Sequence, residues 1–266
     1  MAAIYGEERV NYYTNDHQYG AQVALLADGS YVVSWVSRGQ DGSDDGIYAQ
    51  RYNSVGMPVG AEFRVNSTTA SAQIQPAIAS LSDGGFVIAW SDQYADGSSW
   101  GVFAQRYDAL GVALGSQFPI NQTTLYDQGT PAIAAVDGGF VVTWASQYQD
   151  DGGSYGVYAR RYANDGSPSG GEFLVNTTLS SNQNEPAIAA FASGDFVVAW
   201  RSEGQDGSGG GVYAQRFDAA GARLGGEFQV STTTYSNQSD PHAAVLADGS
   251  FVVVWADDGS HDGSAA

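Results

Sequence analysis

The sequence predicts an all-β protein, a five-bladed β-propeller of four-stranded antiparallel blades, and three observations predict it. Trp35, Trp90, Trp144, Trp200 and Trp255 close five similar apolar strings at steps of 55, 54, 56 and 55 residues. Gln18, Gln73, Gln128, Gln183 and Gln238 recur every 55 residues, and Arg51, Arg106, Arg161 and Arg216 do so over four copies. Each unit also reads as four short apolar strings divided by Gly-rich turns, with no helical periodicity of useful length.

The elements follow in order. The first strand begins at a proline or its equivalent, as in residues 76–81 (PAIASL). The turn 83–85 (DGG) leads into the second, 86–90 (FVIAW). Apolar strings joined through Asp-Gly are a strong short-range hairpin signal. A loop such as 40–43 (QDGS) precedes the third strand, 47–52 (IYAQRY), and a Gly-rich turn over 53–60 leads to the fourth, 62–65 (EFRV). The second strings are apolar on both faces, so each sheet needs cover on both sides. Radial stacking of blades gives that cover and protects most strand edges, whereas an open solenoid needs polar terminal caps. The last copy stops after its second strand and the loop 262–264, while residues 6–11 (GEERVN) match the fourth strand at 61–66 (AEFRVN). The N-terminal segment is therefore expected to serve as the outer strand that closes the ring, giving a single domain over residues 1–266 and a monomeric ring.

Composition narrows the function classes. There are 29 acidic residues against 10 basic ones, all arginine, for a net charge of −19. Binding to nucleic acid or to anionic lipid depends on basic surface, so neither is expected. No apolar run approaches the length of a membrane span, so no membrane insertion is expected. With no Cys and three His, the chain lacks the ligands of a soft-metal site. The first residues carry no basic and apolar leader pattern.

The five-fold self-similar architecture resembles tachylectin-2-type propeller lectins. The unit Asp-Gly-Gly-Phe-Val-Val-x-Trp, then Gln-Asp-Gly-Ser, then Gly-Val-Tyr-Ala-Gln-Arg-Tyr-Asp resembles repeats of large secreted bacterial proteins, which often also carry RTX-type calcium-binding segments. The first resemblance is architectural, and the second covers nearly the whole chain. Together they imply a secreted or cell-surface bacterial protein whose export signal lies outside this sequence.

Candidate site residues come from the repeat and from its departures. A Gln amide carries donors and an acceptor, so Gln18, Gln73, Gln128, Gln183 and Gln238 suit either pinning backbone across a blade boundary or contacting sugar hydroxyls. The five repeated Trp residues read first as inter-blade packing. Trp100, outside the repeat pattern, and Tyr155 at the equivalent place are the better surface platforms for a ligand. Asp-Gly-Ser loops are turn chemistry first. Their carboxylates, Asp41, Asp96, Asp150, Asp206 and Asp262, are also the candidates for Ca²⁺ coordination, the one cofactor expected. The strand arginines are expected to pair within their own blade with Glu62, Glu172 and Glu227, or Gln117 in the remaining copy.

An enzyme needs one asymmetric constellation, and the departures from symmetry are few: His17, Arg38, Glu185, Glu203, His242 and His261. Near-identical loops favour equivalent weak sites used together. The expectation from sequence is thus a non-catalytic, multivalent, lectin-like carbohydrate-binding propeller with glycan partners, calcium assisting. The alternative expectation is a structural or adhesin repeat module of a larger extracellular protein.

Overall fold

The computed structural model describes residues 7–150 and 152–259. Among these there is no helix, and the strands fall into five antiparallel sheets in chain order. Blade 1 contains β1 (Gln18–Leu25), β2 (Tyr31–Arg38), β3 (Asp45–Tyr52) and β4 (Pro58–Arg64). Blade 2 contains β5 (Gln73–Ser80), β6 (Phe86–Gln93), β7 (Trp100–Tyr107) and β8 (Ala113–Pro119). Blade 3 contains β9 (Gln128–Val136), β10 (Gly139–Gln147), β11 (Tyr155–Ala163) and the two-residue β12 (Phe173–Leu174). Blade 4 contains β13 (Gln183–Ala190), β14 (Phe196–Glu203), β15 (Gly210–Phe217) and β16 (Phe228–Gln229). The fifth sheet pairs β17 (Gln238–Val245) with β18 (Phe251–Asp257).

The first strand of every blade lies innermost, and all five line one axial cavity of about 390 Å³. Successive blades pack face to face through apolar side chains. Phe86, Ile88 and Trp90 of β6 meet Val32, Val36 and Ile47 of blade 1, while Val87 and Ala89 on the opposite face meet Phe140, Val142 and Trp144 of blade 3. Two-sided burial explains why these strings show no polar alternation. Within each boundary the aromatic rings are stacked in pairs, as in Phe86 with Tyr107 and Phe140 with Tyr162.

Polar seams join the blades differently from the sequence expectation. The strand arginines do not pair with the glutamates of their own blade. Arg51 donates forward to the carbonyls of Leu110 and Ala109 in blade 2, and Arg161 donates to Ala220 in blade 4. Glu172 reaches backward, accepting from the backbone N–H of Gln122 and the hydroxyl of Thr123. Glu227 does the same with Thr177 and Thr178. Both residues serve as stitches between blades, because a buried guanidinium or carboxylate finds more backbone partners across a boundary than along its own strand.

Among the described residues, which exclude Gly6 of the expected closing segment, ring closure by an N-terminal outer strand is not seen. Residues 7–11 form no strand, and none of the five sheets includes them. The segment nonetheless takes up the boundary position of a preceding blade. The Tyr52 hydroxyl donates to the Val10 carbonyl as Tyr162 does to Ile120, and Glu62 accepts from the backbone N–H of Tyr12. Among the described residues β18 pairs only with β17, and Val252 and Val254 on it are exposed, whereas their blade 2 counterparts Val87 and Ala89 are fully buried.

Candidate functional site

A local distortion of the first strands builds the site. Each carries a bulge near its start, and there Gly20, Gln75, Thr130, Glu185 and Asp240 all have φ between 50° and 65°. In four of the five a proline follows, at Pro76, Pro131, Pro186 and Pro241. Non-glycine residues in this region cost of order 1–3 kcal/mol each and persist where surrounding structure enforces them. At the bulge, Gly20, Gln75, Thr130, Glu185 and Asp240 all line the axial cavity. No two copies agree at this position, which reads Gly, Gln, Thr, Glu and Asp.

These side chains tie neighbouring blades together at the mouth of the cavity. Gln75 Oε1 accepts from the Ser91 hydroxyl at 2.9 Å and from the Thr130 N–H at 3.1 Å. Glu185 Oε2 accepts from the Asp240 N–H at 2.9 Å. Beside this ring, on the face that carries the loops between second and third strands, a groove of about 430 Å³ crosses the boundaries between blades 2 and 3 and between blades 3 and 4. Its volume lies in the range of small-molecule sites.

The groove unites two carboxylates, two aromatic rings and an amide: Asp127, Glu185, Trp100, Tyr155 and Asn184. Trp100 and Tyr155 are half-buried at the start of β7 and β11, one blade apart. The Tyr155 hydroxyl donates to Asp127 Oδ2 at 3.3 Å, which orients the carboxylate. Burial first, and the nearby Asp127 second, push the Tyr155 phenol above its usual range, so it remains a neutral donor. Asp127 Oδ1 and Asn184 Oδ1 are both buried without a hydrogen-bond partner. Buried acceptors in this state are costly and favour a ligand rich in hydroxyl donors. Next to Asp127, Tyr126 and Tyr148 form an exposed edge-to-face pair at 5.0 Å.

The groove lies where it does because one position is small there. After the boundary-packing Trp of the second strand in blades 1 to 4 come Val36, Ser91, Ala145 and Arg201. Ser91 and Ala145 leave the space open, and both line the groove.

The other sequence candidates sit elsewhere. Gln73, Gln128, Gln183 and Gln238 are fully buried, with Gln18 partly so. Each donates to the carbonyl three residues earlier, at Ala70, Leu125, Ser180, Tyr235 and Asn15. They clamp the loop between blades, and none lines the groove. Asp41, Asp96, Asp150 and Asp206 each accept a backbone N–H two residues ahead, so they close Asx turns. Their second oxygens lie over Gly46, Gly101, Gly156 and Gly211, where a Cβ would approach within 2.4–2.9 Å. Among the described residues, no three of His, Cys, Asp and Glu converge to hold a metal ion. Asp262 and His261 lie outside the described residues.

Comparison with known proteins adds the fold's relatives. No family model and no curated protein matches the chain, and the two resemblances drawn from its sequence find no counterpart there. Solved structures do match. A protein of unknown function from Dyadobacter fermentans DSM 18053 superposes with a TM-score of 0.66 at 13% identity, over 92% of this chain and 77% of that one. A mutant α-L-arabinofuranosidase of Fusarium graminearum, bound to an iminosugar inhibitor, gives 0.67 at 12%, over 91% and 76%. The α-L-arabinanase of Penicillium chrysogenum complexed with arabinobiose gives 0.62 at 14%, over 88% and 74%. The fold is a β-propeller.

At such identities the likeness establishes the propeller alone. It still overturns the expectation of a non-catalytic lectin or adhesin module. Propellers of this shape include carbohydrate-cleaving enzymes, so internal repetition does not argue against catalysis. In this propeller the repeated residues maintain blades and seams, while the groove is built from positions that differ between copies. Asp127, Asn184, Gln75 and Thr130 were missed for that reason. Reading the sequence in columns of 55 would have exposed Asn184, Gln75 and Thr130, since the residues one and two after each invariant Gln change every time; Asp127 stands where other copies have His17, Ala72, Asn182 and Asn237.

Proposed function

We propose that this propeller processes carbohydrate, cleaving a glycosidic bond in the groove between blades 2, 3 and 4. The observation that carries the reading is the meeting of Asp127 and Glu185 with Trp100 and Tyr155 in one groove whose buried acceptors lack partners. Aromatic faces stack on the apolar faces of sugar rings, and unpaired acceptors take up hydroxyl donors. Glycoside hydrolysis ordinarily uses a pair of carboxyl groups, one protonating the leaving oxygen and one activating water or attacking the anomeric carbon. Asp127 is held by Tyr155, and Glu185 by the Asp240 backbone, so both carboxylates are fixed before a ligand arrives. Preorganisation of this kind is what general acid and base groups require. The solved structures of arabinose-acting enzymes with this fold support the same class of substrate.

The test is release of reducing sugar from a panel of arabinan, xylan, pectic, glucan and sialylated substrates. Wild-type protein should act on a coherent subset. D127N and E185Q should each lose about 10²-fold or more in rate, the usual contribution of a positioned acid or base, with unchanged circular dichroism. Wild-type rates in both variants, or no release from any substrate by folded protein, would overturn the proposal.

A further inference from the structure

Four boundaries between complete blades or their neighbours can be compared inside this one chain, and they differ at two positions only a few ångströms apart. At the boundary of blades 1 and 2 the pair is Val36 and Asp45. Val36 is fully buried, and Asp45 accepts the Tyr19 hydroxyl at 3.0 Å. At the next two boundaries the pairs are Ser91 with Trp100 and Ala145 with Tyr155, and there the groove is open. At the boundary of blades 4 and 5 the pair is Arg201 and Gly210. The guanidinium lies against Gly210, so that a Cβ on this glycine would come within 2.3 Å of Arg201 Nε. Arg201 thus fills the space from which the rings of Trp100 and Tyr155 rise in their own blades.

Two details make this arrangement more than a packing accident. The Arg201 side chain makes no hydrogen bond or ion pair among the described residues, whereas those of Arg51, Arg160 and Arg161 are committed to backbone carbonyls. Gly210 is also outside the positive-φ glycines, so its backbone accepts a side chain once Arg201 is removed. The aromatic residue is therefore excluded here by the neighbouring side chain and not by the backbone.

We propose that the groove takes two consecutive rings of a short oligosaccharide, one stacked on Trp100 and the next on Tyr155, and that Arg201 is the specificity-determining residue that denies it a third. The inference rests on the carbohydrate reading above. It goes further in fixing the length of ligand recognised and the residue that sets it.

The experiment is isothermal titration of wild-type protein with arabino-, xylo- and gluco-oligosaccharides of one to four units. In the series that binds, affinity should rise about tenfold from one unit to two, the size of a good aromatic contact. It should change less than twofold from two units to three. W100A and Y155A should each erase the step between one and two units. R201A/G210Y, which recreates the blade 3 pair at the next boundary, should add a new step of about tenfold between two units and three while leaving two-unit affinity unchanged. R201A alone, which breaks no hydrogen bond, serves as the folded control and should remain stepless at three units. Affinity that keeps rising at three units in the wild type, or a folded R201A/G210Y without the new step, would overturn the two-ring proposal alone. Silence of folded wild-type protein toward every series would overturn the carbohydrate reading and this inference with it.

Discussion

Asp92 provides a direct test of how buried charge is handled between the blades. It is fully buried on β6, and its carboxylate accepts from Trp90 Nε1 and from Gln73 Nε2, each at 3.2 Å. Burial raises its pKa from 3.8 to about 6, and the two hydrogen bonds only partly oppose that rise. The difference corresponds to about 3 kcal/mol of stability lost when the group is ionised. The sign follows from proton binding. Between these two values the folded protein holds a proton that the unfolded chain has released, so stability falls as pH rises from about 4 to about 6 and levels off above. Blades 1, 3 and 4 place Ser37, Ser146 and Ser202 at this position, all fully buried. D92S therefore installs the repeat's own solution. It leaves Trp90 Nε1 to Gln73 Oε1, the arrangement of Trp200 with Gln183 in blade 4. Allowing about 1 kcal/mol for the lost hydrogen bonding, D92S should be more stable than wild type by about 2 kcal/mol at pH 7. The advantage should vanish near pH 4. Urea denaturation of both proteins from pH 4 to pH 7.5 measures the difference directly. Parallel stability curves for the two proteins would refute the reasoning, because they would mean that Asp92 does not titrate between its folded and unfolded values.

Two further outcomes follow from the seams and the groove. A145R/Y155G copies the blade 4 pair into blade 3 and should cut activity or ligand affinity more than tenfold, since it removes one aromatic contact and fills half the groove; a melting temperature within a few degrees of wild type would show that the loss is local. Q128A leaves the Leu125 carbonyl and the Asn121 amide without the partners they have now at 2.7 and 3.3 Å. It should cost about 2–3 kcal/mol in chemical denaturation, and an effect below about 0.5 kcal/mol would show that the loop does not need the clamp.

The blades were legible in the sequence because their signals are local and repeated. The hairpin turns, the doubly apolar second strings and the Trp and Gln columns predict every first, second and third strand of blades 1 to 4. The fourth strands were less legible, and β12 and β16 shrink to two residues because Gly170, Gly171, Gly225 and Gly226 precede them. The partners of the arginines and glutamates were not legible, since spacing along one repeat says nothing about which blade a long side chain faces. Trp100 and Tyr155 could be singled out because they break the repeat at an exposed loop. Their convergence with Asp127 and Glu185 depends on Ser91 and Ala145 being small, and a small residue in an apolar strand carries no signal of its own.

This distinction also decides how self-similarity should be read. Near-identical loops point to equivalent sites only if all positions are treated alike, and the structure separates them. Phe86, Phe140 and Phe196, the Trp residues beside them and Gln73, Gln128, Gln183 and Gln238 are buried, so folding alone accounts for their constancy. The axial bulge sets no common packing requirement on its side chain: Gln75 and Glu185 each accept a backbone N–H of the next blade, while Gly20 has no side chain at all. There the five copies read Gly, Gln, Thr, Glu and Asp. Copies therefore diverge at positions that meet at the groove and the axis, as they also do at exposed outer turns such as Met57, Val112, Ser167 and Ala222. Uniform packing beneath an irregular mouth fits one site on a repeated scaffold, because the framework repeats while the residues at a site need not. A ring of five equivalent weak sites would instead have repeated the mouth along with the packing.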